Sequence, residues 1–167
     1  CSLIQLSATV NPSKLFSKYF WVTGTSNAVK GYREKFINNV KKYHTKNDKI
    51  LEVASNDGFF LQGLKEEGFN NLLGVDPAKN IAKKASKNGI KTIPNFFNIK
   101  NSKKIKKIFK PNLIICRNVI PHVENINNII SGLSNLINNS GNVFIEFHYA
   151  RNLVEKMHYD YIYHEHI

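Results

Sequence analysis

The sequence predicts an α/β protein of the doubly wound kind, with a mostly parallel sheet between two helical layers. Three observations predict it. Residues 49–64, KILEVASNDGFFLQGL, read as a buried strand, a tight turn of small and polar residues, and a helix. Asn71-Leu72-Leu73-Gly74-Val75-Asp76 follows as a second strand ending in an acid. Beyond it, short β-branched runs keep alternating with helical patterns, which is how a parallel sheet with crossover helices is written.

In chain order, residues 3–6 are a candidate strand, and Asn11-Pro12-Ser13 is a helix-start signal for a short helix over 13–19. The aromatic stretch Tyr19-Phe20-Trp21-Val22 and the turn Thr23-Gly24-Thr25-Ser26 lead to a helix over 27–43. Its apolar residues Val29, Tyr32, Phe36 and Val40 recur at spacings of three and four. The first sheet strand follows the loop at 46–48. After Asp76 a helix is expected over 77–88, stopped by Gly89 in the left-handed conformation. Residues 90–93 form a third strand ended by Pro94, and Asn98 caps a lysine-rich helix that Pro111 ends. The fourth strand spans 112–116 and a loop 117–124. A helix over 125–137 places Ile126, Ile129, Ile130, Leu133, Leu136 and Ile137 inward. The fifth strand spans 142–147, and 153–157 make a last helical turn.

The length of 167 residues fits one domain, and 42% hydrophobic residues suffice for a core. No apolar run reaches the roughly 18 residues of a membrane span, and no signal-peptide pattern opens the chain, so no membrane partner and a cytoplasmic setting are expected. Two cysteines, Cys1 and Cys116, make no disulfide framework, and Cys116 lies in an apolar run as a buried small hydrophobe. The net charge of +12 invites a nucleic-acid reading. The lysines, however, are interspersed with asparagine and isoleucine. The densest run, SKKIKKIFK at 102–110, sets Ile105, Ile108 and Phe109 on one helical face and leaves its lysines as the solvated face. Nucleic acid is therefore not the favoured partner. Both ends of the chain read as cut, because it opens at Cys1 without methionine and stops within an aromatic and histidine cluster.

The turn at 54–58 is not a dinucleotide fingerprint. That pattern needs three glycines to clear a path to a pyrophosphate, and this turn has Gly58 alone, preceded by Asp57. A carboxylate there suits a cationic ligand, and Asp76 is placed to accept hydrogen bonds from a ribose. In a doubly wound sheet the loops after the strands meet at one edge. They bring together Ser55, Asn56 and Asp57, then Asp76, Asn95 and Phe96, residues 118–122, and His148 with Tyr149. Phe96 or Phe97 can flank a planar base or pack in the core, and the Asn95 amide can pair with a base edge. The stretch 159–167, YDYIYHEHI, is the second signal. His164 and His166 alternate, but two ligands without a third make a poor metal site. General acid–base work fits better, with histidine oriented by a neighbouring acid or tyrosine. A polar surface tail is the plain alternative.

Three separated pieces carry a family resemblance: FSKYFWVTGTS at 16–26, ILEVASNDG at 50–58, and Y-x-x-I-Y-H-E-H at 159–166. GVDP at 74–77, NFF at 95–97 and RNVIPHV at 117–123 fall between them in order. The chain resembles the S-adenosylmethionine-dependent sugar C-methyltransferases, which act on nucleotide-linked 4-keto-deoxyhexoses. The resemblance implies a Rossmann-like class I methyltransferase fold, truncated here after the fifth strand. Residues 1–24 would be the remnant of an N-terminal zinc-binding module and linker, with Cys1 as its last ligand, and residues 25–167 the cofactor-binding domain. Zinc would belong only to the longer protein. The cofactor would be S-adenosyl-L-methionine, held by Glu52, Ser55, Asn56, Asp57 and Gly58 at its methionine portion and by Asp76 and Pro77 at its ribose. Asn95 and Phe96 would take the adenine, with Asn118 and Thr25 also in contact. An acid often stands where this chain has Asn95. His166 would be the base, Glu165 would orient it or contact the substrate, and Tyr163 and His122 would polarise the keto oxygen or hold the sugar. Trp21, Thr23, His148 and Tyr149 would meet the nucleotide-sugar substrate. Two other readings remain: a methyltransferase of another acceptor, such as RNA or a small molecule, and a non-catalytic cofactor-binding module.

Overall fold

The computed structural model describes residues 10–25 and 27–157. The strand expected at 3–6 and the terminal cluster at 159–167 lie outside the described residues. Five strands form one sheet in the order β3-β2-β1-β4-β5. They are β1 (Ile50–Val53), β2 (Leu72–Val75), β3 (Thr92–Ile93), β4 (Leu113–Arg117) and β5 (Asn142–Glu146), and every pairing is parallel. This is the doubly wound α/β fold that the alternation predicts.

Side chains alternate across each strand, and the alternation sorts the core into two layers. Ile50, Leu113 and Ile115 face α2 (Asn27–Tyr43) and α3 (Phe59–Glu66), packing on Phe36, Val40, Phe60, Leu61 and Leu64. Ala85 of α4 (Lys79–Lys87) joins that layer. Leu51, Val53, Leu73, Ile114 and Cys116 face α5 (Ile99–Lys106) and α6 (Ile126–Leu136), against Ile105, Ile129, Leu133 and Leu136. Each of these fully buried aliphatics contributes roughly 1.5–3 kcal/mol relative to exposure. The strand order reverses between β1 and β4, so the crevice at a topological switch point opens above their carboxyl ends.

Element ends follow their capping chemistry. The first helix, α1, spans Pro12–Phe16 rather than 13–19. Asn11 Oδ1 accepts from Ser13 N at 2.9 Å, and Pro12 takes the first position, where no N–H is required. Asn98 and Asn125 cap α5 and α6 by the same device, accepting from Asn101 N and Asn128 N. The third strand is only Thr92–Ile93. The stripe expected on α5 is corrected at Ile108, which is 66% exposed. The α-helix ends at Lys106, and Ile108 N turns back to Ile105 O, carrying the side chain off the buried face. Ile130 is likewise exposed on α6 rather than inward. The loop expected at 117–124 is shortened from both sides: β4 runs through Arg117, and Ile120–His122 forms a 3-10 turn with Pro121 buried. A short α7 (Ala150–Glu155) follows β5.

Charge is distributed unevenly over this fold. Residues 77–123, which build α4, β3, α5 and β4, hold eleven lysines and Arg117 and no aspartate or glutamate. All eleven lysines are exposed. The rest of the chain balances twelve basic against twelve acidic residues, so residues 77–123 carry the whole net charge of +12.

Candidate active site

The turn after β1 is built from left-handed residues. Ala54, Asn56 and Gly58 have φ of 53°, 50° and 78°. Two of the three are not glycine, and each such residue costs on the order of 1 kcal/mol, so packing and hydrogen bonding must hold the loop. Gly58, at the start of α3, tolerates no side chain, because a Cβ there would stand 3.1 Å from Ile90 Cβ. Ser55 N bonds Val75 O at 3.2 Å, drawing the turn against the end of β2.

Asp76, at that end, holds the two turns together. Its Oδ2 accepts from Asn56 N and its Oδ1 from Ala78 N, both at 2.9 Å. Burial pushes its carboxyl above the usual range, while the two backbone donors pull it back. Asn56 Oδ1 accepts from Thr23 N at 3.0 Å, and its Nδ2 donates to Trp21 O at 3.1 Å. Asp57 Oδ2 accepts from Gly24 N at 3.3 Å. Three oxygens beneath this turn, Asp57 Oδ1, Ser55 Oγ and Glu52 Oε2, are buried without a hydrogen-bond partner.

Above the carboxyl ends of β1, β2 and β4 lies a cleft of about 780 Å³. Of the residues expected in the site, it is walled by Trp21, Thr23, Asn56, Asp76, Pro77, Phe96, Asn118 and His122. Gly58 and Asp57 sit just under the wall. Glu52 is not on the wall itself but is paired with Arg117, which is. It shares the α2/α3 side of the sheet with Arg117, two residues along β4 from its register partner Ile115. Arg117 Nη2 stands 2.6 Å from Glu52 Oε1, and its guanidinium lies 3.2 Å from the centre of the Phe60 ring. Burial raises the Glu52 carboxyl above its usual range, opposed by Arg117. Cys116 on β4 is pushed up to about 12 by burial first and Glu52 second, so it stays a thiol at neutral pH.

Thr25, Asn95, His148 and Tyr149 fall outside the cleft wall. Asn95 is exposed in the loop before α5, whereas Phe96 and Phe97 both line the cleft, Phe97 also packing in the core. Thr25 is exposed and donates its hydroxyl to Val22 O at 2.7 Å. Tyr149 is 61% exposed after β5, beside His148. His122 stands edge-on to Phe16, with ring centres 6.4 Å apart. Cys1, Tyr163, Glu165 and His166 lie outside the described residues. Among the described residues no cluster of three or more histidine, cysteine, aspartate or glutamate side chains could hold a metal.

Among the cleft residues that were not expected are four that bear on its chemistry: Tyr19, Arg117, Tyr32 and Glu146. Tyr19 lies within the motif at 16–26, and Arg117 opens the one at 117–123, so both carried a signal. Tyr32, taken as part of a core stripe, donates its hydroxyl to Glu146 on β5, and burial followed by that bond pushes its phenol up to about 12. Glu146 also accepts from Asn118 Nδ2 at 3.3 Å. Neither Tyr32 nor Glu146 has a local sequence signature.

The residues present fit a cationic cofactor. Three buried carboxyls (Glu52, Asp57 and Asp76) gather at this edge against the single guanidinium of Arg117, and Asp57 keeps an unused acceptor. The same fold is found in solved methyltransferases. One is magnesium protoporphyrin IX methyltransferase of Synechocystis PCC 6803, solved with bound S-adenosylmethionine. It overlays with a TM-score of 0.56 at 14% identity, over 74% of this chain and 60% of its own. The PH0226 protein of Pyrococcus horikoshii OT3 gives a TM-score of 0.65 at 20% identity, over 89% and 68%. The architecture is thus the Rossmann-like fold of class I methyltransferases. A family model described as a methyltransferase domain matches residues 28–167, and the chain belongs to that family. S-adenosyl-L-methionine is the methyl donor that this class of domain uses. The chain is also 29% identical over 169 aligned residues to C-methyltransferase NovU of Streptomyces niveus. The alignment takes in 99% of this chain and 40% of that relative, so the chain spans about two fifths of its length.

Proposed function

We propose that the protein carrying this chain transfers a methyl group from S-adenosyl-L-methionine to the carbon beside the ketone of a nucleotide-activated 4-keto-deoxysugar. The observation that carries the cofactor half is Asp76, a buried carboxylate on the cleft wall, tied to the backbone of the turn after β1. The acceptor half rests on the likeness to a C-methyltransferase along nearly the whole chain and on the terminal E-H motif.

The chemistry assigns the residues. Bound S-adenosylmethionine supplies an electrophilic methyl on a sulfonium. Asp76 would hold the ribose hydroxyls, Phe96 would lie against the adenine, and the turn with Asn56 and Asp57 would take the methionine end, where Asp57 Oδ1 has acceptor capacity for an ammonium. A carbon beside a ketone loses its proton only when the electron pair can move onto the oxygen, so a base and donors to that oxygen are both needed. His166 accepts the proton, oriented by Glu165. Tyr163 and His122 donate to the enolate oxygen. The carbon then takes the methyl in line, the C–S pair stays on sulfur, and positioning supplies much of the rate. Trp21 and Thr23 close the acceptor side, with His148 and Tyr149 at its outer margin. In the longer protein Cys1 would complete a zinc module preceding the domain that starts at residue 25. A cytoplasmic setting belongs to the same proposal. No described helix is long and apolar enough to cross a membrane.

Titration calorimetry with S-adenosylhomocysteine tests the cofactor half: wild type binds and Asp76→Ala binds at least tenfold more weakly. For the acceptor half, His166→Ala keeps cofactor binding and loses transfer, and surviving transfer would place the base elsewhere. The lysines of residues 77–123 favour a second reading, a polyanionic acceptor such as RNA. Affinity for RNA that falls steeply with salt, together with transfer to it, would decide for that reading.

A further inference from the structure

The segment that precedes α2 is docked on the cofactor turns almost entirely through side chains of the partner loops. Asn80, exposed near the start of α4, donates Nδ2 to Tyr19 O at 2.8 Å and accepts from Tyr19 N at 3.3 Å. Asn56 repeats the pattern on the other side, accepting from Thr23 N and donating to Trp21 O. Asp57 adds the bond from Gly24 N. A primary amide offers the same donor and acceptor pair as a peptide group, so the two asparagines stand in for a neighbouring strand. Gly24 makes the approach feasible, since a Cβ there would meet Asp57 Oδ2 at 2.9 Å and the Phe59 ring at 3.0 Å. The result brings Tyr19, Trp21 and Thr23 onto the cleft wall. Tyr19 is half-buried beside Asp76. It lines the same cleft as Asp76, and burial first and the Asp76 charge second push its phenol upward.

We propose that residues 19–24 form a fixed wall of the cofactor site, and that Asn80, which is not itself on the cleft, is the positioning residue that docks this wall and thereby sets cofactor affinity. The inference rests on the cofactor assignment above and adds Tyr19, Gly24 and Asn80, which that assignment does not use, with Trp21 and Thr23 on the acceptor-facing part of the same wall. Two independent levers release the wall: Asn80→Ala removes the clamp on Tyr19, and Gly24→Ala forces the segment off Asp57 without touching Asn80. Calorimetry with S-adenosylhomocysteine on the protein carrying this chain is expected to show about tenfold weaker binding for each, the size expected when one docking contact is lost. Trp21, the one tryptophan of the chain, gives a readout that a purely structural role would not move. Its emission, isolated by subtracting the spectrum of Trp21→Phe, shifts on adding S-adenosylhomocysteine to wild type. In Asn80→Ala it starts at the released position and shifts less. Asp76→Ala separates the two levels of the argument. If it binds as wild type does, the cofactor assignment falls and this inference with it. If it loses binding while Asn80→Ala and Gly24→Ala bind within twofold of wild type with an unchanged Trp21 signal, the wall inference alone is overturned.

Discussion

The two halves of the cleft rim are held in different ways. On the β1–β2 side the loops are closed by short backbone bonds to one carboxylate. Asp76 takes Asn56 N and Ala78 N, and the strained residues Ala54 and Asn56 are pinned between them. On the β4–β5 side the groups are long side chains that reach across strands: Arg117 to Glu52, Tyr32 and Asn118 to Glu146. The first half is preformed by local chain geometry, as a site for an invariant cofactor requires. The second depends on sheet register, since Tyr32 and Asn118 reach the two oxygens of Glu146 only once β4 and β5 are paired.

The contrast can be broken first at Arg117. Arg117→Met leaves Glu52 buried without its cation and is expected to cost about 3–5 kcal/mol in denaturant unfolding. The double replacement Glu52→Leu with Arg117→Met recovers most of that loss. If the single variant cost under about 1 kcal/mol, the β4–β5 side would not depend on its ion pair. Next comes Gly58→Ala, which puts a Cβ in a left-handed residue and against Ile90. The expected loss is about 1–3 kcal/mol, together with weaker S-adenosylhomocysteine binding, because the turn itself shifts. The smallest effect is on pH dependence. Asp76 is raised by burial, so its contribution to stability is complete below the unfolded carboxyl value of about 3.9 and is lost as pH rises through its higher folded value. The stability of wild type relative to Asp76→Asn should therefore fall with rising pH across that window. A flat difference in thermal unfolding would show that the two backbone donors cancel the burial.

What could be read from the sequence follows the same division. The strand–turn–helix at 49–64, the acid ending β2 and the asparagine helix caps are local patterns, and the structure has them where the residues indicate. Ile108 and Ile130 went astray because a periodic pattern does not reveal where a helix ends or how wide its buried face is. Glu52 was placed toward the ligand because its motif lies there. Its ion pair with Arg117, whose guanidinium covers the Phe60 ring, depends on the pairing of β1 with β4, more than sixty residues apart, which the motif does not show. Tyr32 fitted the apolar stripe of α2 by spacing alone, and its hydroxyl found Glu146 through a contact 114 residues distant. Asn56 and Asp57 lie in the turn after β1, and their side chains hold residues 21–24, a segment no turn signature connects to them.

The exposed lysines of residues 77–123 concentrate positive charge on one stretch of the chain. An oppositely charged surface would draw the protein in by α4 and α5, which carry most of them. Such a body would elute from a cation exchanger later than an evenly charged one of equal net charge, and dilute salt would free it abruptly.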